Sequence, residues 1–399
     1  MLLFFYPLMG SGCWDQREPD LLGIVDVLAF DYEPEMGTFK VIALVANPTA
    51  GPGADEQNGN GQGGGAFWVV EAAGKTVFEA IKSLDILSTR KLVYTHVEVI
   101  VFSEELAKRG IGPVLDFIDR ERQSRLISIP LVVQGDVRQF LETSFPLEEL
   151  GGQAITRQME SVRIERSVVP EIVSIRLLFH HLSAPGQELI LPRGKVLTEV
   201  DKNDGAEEGE ADSQEHGQVN PIELSGAALF NGDKLVGFMD EKETSGHQLI
   251  TGNIQRATVV LPCPVSEGDF LAVEVFDFIR TIEPVIDEER VRIKLTLKAE
   301  GRIQDFSCPT PVLDESFIES LNSRFAAEIE KRMKASLEKA RQTGSDVFGL
   351  GNLVYRTRYP QWQAIEQAWP QIFSTLEVDL DVEAVIRRHG LILERVRIR

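Results

Sequence analysis

Histidine and cysteine, which carry much of the nucleophilic and metal chemistry of enzymes, are scarce in this sequence. Its 399 residues contain six histidines and three cysteines. His180 and His181 are adjacent on a predicted strand, where neighbouring side chains point to opposite faces, so they are poorly placed to share a metal. His96 lies in a predicted apolar strand and is interpreted as a hydrogen-bonded core residue. No Ser/His/Asp or Cys/His arrangement can be singled out, so we predict no enzyme, no metal site and no cofactor.

Basic residues and long apolar runs are also in short supply. Lys and Arg number 41 against 62 Asp and Glu, which gives a formal net charge of -21. A charge of this sign repels phosphate backbones and anionic lipid headgroups, which excludes typical nucleic-acid binding. After the first twelve residues, no apolar run approaches the roughly 20 residues that cross a bilayer. The sequence therefore predicts a peripheral protein whose membrane contact does not come from a basic patch.

Two glycine motifs suggest phosphate binding, but both are incomplete. Gly74-Lys75-Thr76 could end a phosphate loop only if a glycine stood at position 69, where the chain has Val69. The glycines at 59, 61 and 64 match the spacing of a dinucleotide motif, yet no strand leads into them and no helix begins after them. We therefore predict no nucleotide and interpret residues 51–65 as a glycine-rich loop between two strands.

Cys13 stands at the end of a short apolar leader. Residues 1–12 are rich in leucine and phenylalanine and end in the small residues Gly10, Ser11 and Gly12. Small side chains allow a signal peptidase to approach the backbone, after which the Cys13 thiol can take a diacylglycerol. The leader lacks a positively charged start, so we interpret 1–12 as a truncated lipoprotein signal peptide. The alternative is that Cys13 is an ordinary small apolar residue.

The two other cysteines, Cys263 and Cys308, leave two states open. They could pair in an oxidising compartment. In the absence of any local spacing signal, we expect two buried free thiols instead.

Strand and helix patterns alternate along the first half of the chain. Short apolar runs or alternating patterns predict strands, and apolar residues one turn apart predict helices that begin after Thr76 and Ser103. The predicted strands are 41–46, 67–72, 91–102 and 127–133.

The second half begins after an acidic segment, 199–218, that has almost no apolar side chain to bury and is interpreted as a linker or loop. It then shows a hairpin around residues 231–233, an alternating strand and a long helix from Asp314 to Gly344. A shorter helix over 362–373 and a strand with one acidic face over 376–383 follow. We predict an N-terminal domain at 13–198, a middle domain at 219–305 and a C-terminal domain at 306–399.

Several motifs occur in the order found in one known family. They start at Cys13-Trp14-Asp15. The other motifs are Gly74-Lys75-Thr76, Arg90-Lys91-Leu92 with His96, Gly226 to Phe230, Lys234 to Gly237, Glu243-Thr244-x-Gly246, Asp346-Val347-Phe348-Gly349, Tyr359-Pro360, Trp362, Trp369, and Ile386 to Leu391. With these motifs the chain resembles, over nearly its whole length, the Ger(x)C family, the lipoprotein C subunits of spore germinant receptors.

The resemblance implies a non-enzymatic lipoprotein on the outer face of the spore inner membrane. It further implies assembly with two integral-membrane partners, the A and B subunits, and a lipid on Cys13. The family fold it implies is α/β (α+β), three domains in one elongated molecule, each a mixed β-sheet with flanking helices. The chain departs from the family at Gly10, where a leucine or valine is usual, and in its long insertions at 51–65 and 201–217.

Two other classes compete with this interpretation. A solute-binding lipoprotein that serves a transporter would share the anchor and the α/β domains, and would have a ligand cleft between two lobes. A cell-wall enzyme would need a catalytic constellation, and none can be singled out in the sequence.

Overall fold

The computed structural model describes residues 21–46, 67–143, 148, 150–197, 221–287, 290–308 and 315–388. They form two β-sheets with flanking helices, which confirms the mixed α/β fold. The strands are β1 (Leu22–Glu33), β2 (Thr38–Ala46), β3 (Phe67–Gly74), β4 (Lys91–Val93), β5 (Val99–Ser103), β6 (Ile129–Gln134), β7 (Ile190–Val196), β8 (Ile222–Asn231), β9 (Lys234–Met239), β10 (Ala257–Pro262), β11 (Phe270–Asp287), β12 (Arg290–Phe306) and β13 (Glu377–Arg388). The α-helices are α1 (Val77–Leu87), α2 (Glu104–Arg109), α3 (Gly112–Arg120), α4 (Val137–Glu142), α5 (Gly151–Arg166), α6 (Ile175–Ser183), α7 (Glu241–Thr251), α8 (Glu315–Thr343), α9 (Leu350–Thr357), α10 (Tyr359–Ile365) and α11 (Trp369–Ser374).

The first sheet contains nine strands in the order β3-β2-β1-β5-β6-β7-β8-β9, with β4 also paired to β1. The central strands β1, β5, β6 and β7 are parallel, and the outer strands at both edges are antiparallel. Alternate residues of β1 point to opposite faces of the sheet and belong to two hydrophobic cores. Leu28 and Phe30 pack with α1, α3 and α6, whereas Val27 and Ala29 pack with α4 and α5. Helices thus cover both faces, and the strands between them are apolar on both sides.

The second sheet has the order β10-β11-β12-β13 and is covered on one face by α8. The apolar residues of α8 recur about one turn apart and are buried against the sheet, as the sequence predicted: Phe317, Leu321, Phe325, Ile329, Met333 and Leu337. On the other face, acidic residues of β13 stand opposite basic residues of β12, and Lys298 Nζ lies 2.7 Å from Glu383 Oε2. The predicted strand with one acidic face is confirmed as a solvated sheet face.

Most predicted elements of the first half are also confirmed. Strands β2, β3 and β6 lie where they were predicted, and α1 and α2 begin directly after Thr76 and Ser103. The hairpin is formed by β8 and β9. The glycine-rich loop at 51–65 and the acidic segment at 199–218 lie outside the described residues.

Three local predictions are wrong. His180 and His181 lie on helix α6, which Ser174 caps, and not on a strand. The predicted strand 91–102 is broken into β4 and β5, and His96 is exposed in the turn between them. The predicted helix over 362–373 is interrupted by a 3-10 turn at Glu366–Ala368, because Pro370 occupies the first turn of α11 and cannot donate a backbone hydrogen bond.

The first sheet continues across the acidic segment. Strand β8 pairs with β7 from Ile190↔Leu229 to Val196↔Ile222, so residues on both sides of 199–218 belong to the same sheet. The second sheet likewise spans residues that precede and follow position 305, since β12 pairs with β13. The division into domains at 13–198, 219–305 and 306–399 stays a prediction.

Cys263 and Cys308 are joined by a disulfide, with their Cα atoms 5.8 Å apart. The expectation of two free thiols is therefore wrong. The reason is the sheet topology: Cys263 follows β10 and Cys308 follows β12, and both strands flank the start of β11. The Cys263 amide donates to Asp269 O, and the Ser307 amide donates to Phe270 O.

Replacing both cysteines, as Cys263→Ser with Cys308→Ser, is expected to lower the free energy of unfolding by about 2–4 kcal/mol. The bridge closes a loop of 45 residues and so restricts the unfolded chain. Urea unfolding of the wild type with and without reductant, beside the double variant, measures the effect. Alkylation of both thiols in the native, unreduced protein would contradict the pairing.

Candidate functional site

The predicted lipidation residue, Cys13, lies outside the described residues. The other motif residues can be located. Their positions in the fold show which of them come together.

Gly74, Lys75 and Thr76 form the start of helix α1. Thr76 Oγ1 accepts a hydrogen bond from the Glu79 amide at 3.1 Å, and the Lys75 amide donates to Glu79 Oε2 at 2.8 Å. A Cβ atom on Gly74 would lie 2.5 Å from the Ala80 nitrogen, so only glycine fits there. These contacts give the three residues a helix-capping role.

The histidines considered in the sequence do not converge on one site. The ring centroids of His180 and His181 lie 6.2 Å apart on α6. His96 is exposed, and within the described chain its ring forms one hydrogen bond, between Nδ1 and Thr95 Oγ1 at 3.0 Å. Within the described ranges, no group of three or more His, Cys, Asp or Glu side chains could hold a metal ion.

Asp346 forms the best-connected polar site of the described chain, between α8 and α9. Its carboxylate accepts hydrogen bonds from the Leu350 amide at 3.0 Å, the Gly351 amide at 2.8 Å and Trp369 Nε1 at 3.1 Å. Burial raises the pKa of Asp346 to about 6, and the three donors and nearby Glu188 act less strongly. We call Asp346 with its three donors the Asp346 junction.

The Asp346 junction also holds the segment between α6 and β7. The Asp346 carbonyl accepts from the Glu188 amide at 2.9 Å, and the Asn352 amide donates to Gly186 O at 2.9 Å. Gly186 has a φ of +62°, and a Cβ on it would lie 2.5 Å from the Trp362 ring. The first sheet and the C-terminal helices are thereby joined at a point where only glycine fits.

His247 of α7 contacts the same loop from its other side. Its Nε2 lies 3.1 Å from Val347 O, and its ring stacks on Phe348 with the ring centroids 5.3 Å apart. Burial lowers the pKa of His247 to about 4, so the ring is neutral near pH 7. On the same helix, a Cβ on Gly246 would lie 2.1 Å from Arg332 O of α8, which explains the glycine in this motif.

The structure therefore brings together two separated motifs, residues 346–349 before α9 and the tryptophans at 362 and 369. His247, which directly follows the motif at 243–246, contacts the same loop. The Asp346 carboxylate accepts three hydrogen bonds from donors of the chain, which gives this group a structural, positioning role. The sequence did not indicate this role. The one available signal was an aspartate placed shortly before a helix start, which is typical of a capping residue.

No helix in the described part of the chain is both long enough and apolar enough to cross a membrane.

Comparisons with known proteins cover both halves of the chain. The spore germination protein N-terminal domain matches residues 15–196, and the domain described as spore germination B3/GerAC like, C-terminal, matches residues 225–390. Spore germination protein KC of Bacillus subtilis (strain 168) is 22% identical, over 98% of this chain and 95% of its own length. Spore germination protein B3 of the same organism is 22% identical, over 98% and 97%.

A solved structure shows the same fold. The crystal structure of the GerBC protein covers 90% of this chain and 96% of its own chain, with a TM-score of 0.55 at 17% identity. The resemblance that the motifs indicated is thus confirmed over nearly the whole length of the chain. The chain belongs to the GerAC-like family of spore germination proteins.

Proposed function

We propose that this chain is the lipid-anchored, non-catalytic C subunit of a nutrient germinant receptor. The observation that carries the proposal is the match of both family domains, at 15–196 and 225–390, in a chain that its relatives cover almost completely. The subunit would sit on the outer face of the spore inner membrane and assemble with integral-membrane A and B subunits.

The disulfide between Cys263 and Cys308 supports a position outside the cytoplasm. Structural disulfides form and persist in oxidising compartments and are rare where thiols are kept reduced. This observation is independent of the family match. It also agrees with an anchor added to Cys13 after export.

A lipid anchor would act by raising the local concentration of the subunit beside its membrane partners. The chain carries a net charge of -21, so an anionic membrane surface repels the body of the protein and gives it no electrostatic hold. Tethering at Cys13 would hold that body beside the A and B subunits, where even a weak docking face is occupied. The role of the subunit would then be assembly and support of the receptor.

Cys13→Ala is expected to move the protein from the membrane fraction to the soluble fraction of spore extracts and to abolish complementation. The test deletes the gene in its spore-forming host and follows the loss of spore optical density with a panel of nutrients. Wild type should restore the response to a particular nutrient. An unchanged membrane fraction for Cys13→Ala would contradict the anchor.

A matched control separates tethering from other roles of Cys13. The same Cys13→Ala chain, fused at its N-terminus to an unrelated membrane-spanning helix, should return to the membrane and restore germination. Membrane return without germination would mean that the anchor does more than tether the subunit. An intact response of the deletion strain to every nutrient would contradict an essential receptor role for this gene.

A further inference from the structure

A pocket opens in the first sheet where one strand is interrupted. Strands β4 and β5 both pair in parallel with β1, at Leu22↔Lys91 and at Val27↔Val99, and would form one continuous strand without the break. Residues 94–97 leave the sheet between them, and Glu98 rejoins it through its amide, which donates to Asp26 O. The gap lies under α1 and α3 and forms a pocket of about 270 Å³.

The walls of the pocket are apolar and come from the sheet and from both helices. The apolar part of the lining includes Leu28, Ile81, Leu92, Val97, Ile100 and Phe117. Of these, all but Phe117 are buried core residues. A concave apolar surface with a few polar groups at its mouth is the usual form of a small-molecule site.

The carboxylates at the mouth already have partners. Asp85 Oδ2 lies 3.0 Å from Lys82 Nζ, and Asp85 Oδ1 accepts from the Tyr94 hydroxyl at 3.4 Å. Glu121 Oε1 accepts from the Gln123 amide at 3.2 Å. The negative charge at the mouth is therefore matched by donors of the chain.

Two cationic side chains at the mouth lack partners of this kind within the described chain. Lys91 and Arg125 both line the pocket, and neither side chain forms an ion pair or a hydrogen bond with any described residue. Three cations, Lys82, Lys91 and Arg125, and two carboxylates line the pocket, so its lining has an excess of positive charge in a chain whose net charge is -21. Guanidinium and ammonium groups of this kind bind carboxylates by charge-assisted hydrogen bonds.

We propose that this pocket binds a small monocarboxylate with an apolar body, whose head group is held by Lys91 and Arg125. The volume lies just below the range of about 300–1,000 Å³ for drug-sized ligands, so the ligand is of fragment size. The pocket belongs to one sheet and its helices and does not separate two lobes. A ligand in this pocket would therefore not require the cleft between two lobes that the solute-binding interpretation expects.

The test is titration calorimetry of the purified chain with two probes, 3-phenylpropionate and 4-methylpentanoate. The matched neutral and cationic probes are 3-phenylpropanamide and 3-phenylpropylamine. We expect saturable binding of at least one carboxylate, and at least about tenfold weaker binding of the amide and the amine, since a tenfold change is about what one charged contact contributes. Equal binding of acid and amide would overturn the proposed head-group site.

Variants locate the site. Lys91→Gln and Arg125→Gln should each weaken carboxylate binding about tenfold, whereas Lys331→Gln, an exposed lysine on α8 without an ion pair in the described chain, should not. Ser124→Trp should block the mouth and abolish binding of every probe. Circular dichroism confirms that each variant is folded.

Two further results would overturn the proposal: no saturable binding of either carboxylate to the wild type, or a loss of affinity in Lys331→Gln equal to that in Lys91→Gln and Arg125→Gln. Neither result bears on the proposed receptor role, because that role is measured by germination of spores and this binding is measured on the purified chain.

Discussion

Asp346→Ala is expected to lower the free energy of unfolding by about 3–5 kcal/mol, the range typical of a broken buried polar network. The substitution leaves the Leu350 amide, the Gly351 amide and Trp369 Nε1 without their acceptor in a buried site. Each unsatisfied buried donor costs about 1–3 kcal/mol, and partial relaxation reduces the sum. Urea unfolding at pH 7 measures the loss.

The matched control is Asp116→Ala. Asp116 forms an ion pair with Arg120 at 2.7 Å, but both side chains are largely exposed on α3. A surface pair of this kind contributes about 0–1 kcal/mol. If Asp346→Ala cost no more than Asp116→Ala, the Asp346 junction would not stabilise the contact between the first sheet and the C-terminal helices.

The elements predicted from the sequence are those whose pattern is local. The long helix α8 repeats an apolar residue about once per turn over 29 residues, and β13 alternates apolar and acidic side chains. Such patterns follow from the geometry of a helix or strand that buries one face, so no knowledge of partners is needed. The same is true of Thr76 and Ser103, whose side chains cap the helices directly after them.

The elements that were missed depend on tertiary context. Residues 91–102 carry a continuous strand pattern, yet 94–97 leave the sheet, and the pocket opens at that break. His180 and His181 lie on a short helix, α6, whose apolar pattern is equally compatible with a strand. Short apolar runs do not separate the two structures by periodicity alone.

The contacts of the Asp346 junction also depend on tertiary context, so the sequence alone could not predict them. Its local partners, Leu350 and Gly351, are four and five residues away and give a weak capping signal. Trp369 and the segment at 186–188 are brought to Asp346 only by the fold. The pairing of Cys263 with Cys308, 45 residues apart, could not be deduced for the same reason.

Asp346, in the 346–348 loop, and His247, which contacts that loop, are both buried. We expect them to make the free energy of unfolding depend on pH in opposite directions. The pKa of Asp346 is about 6 in the folded protein against an ordinary 3.8, so its contribution to stability is present below about pH 4 and is lost as the pH rises through 6. The pKa of His247 is about 4 against an ordinary 6.5, so its contribution is present above pH 6.5 and is lost as the pH falls through 4. Each difference corresponds to about 3 kcal/mol.

In the wild type these contributions offset each other between pH 4 and 6, and single variants should separate them. Relative to wild type, Asp346→Asn should lose a further 3 kcal/mol or so on going from pH 7 to pH 4, and His247→Gln should gain about the same amount. Urea unfolding of the three proteins at steps of pH measures both slopes. Gln123→Ala, which changes an exposed side chain that does not titrate, should follow the wild type. Parallel profiles for Asp346→Asn and His247→Gln would contradict the opposed titration, because groups that titrate elsewhere contribute equally to all four proteins and cancel in the comparison.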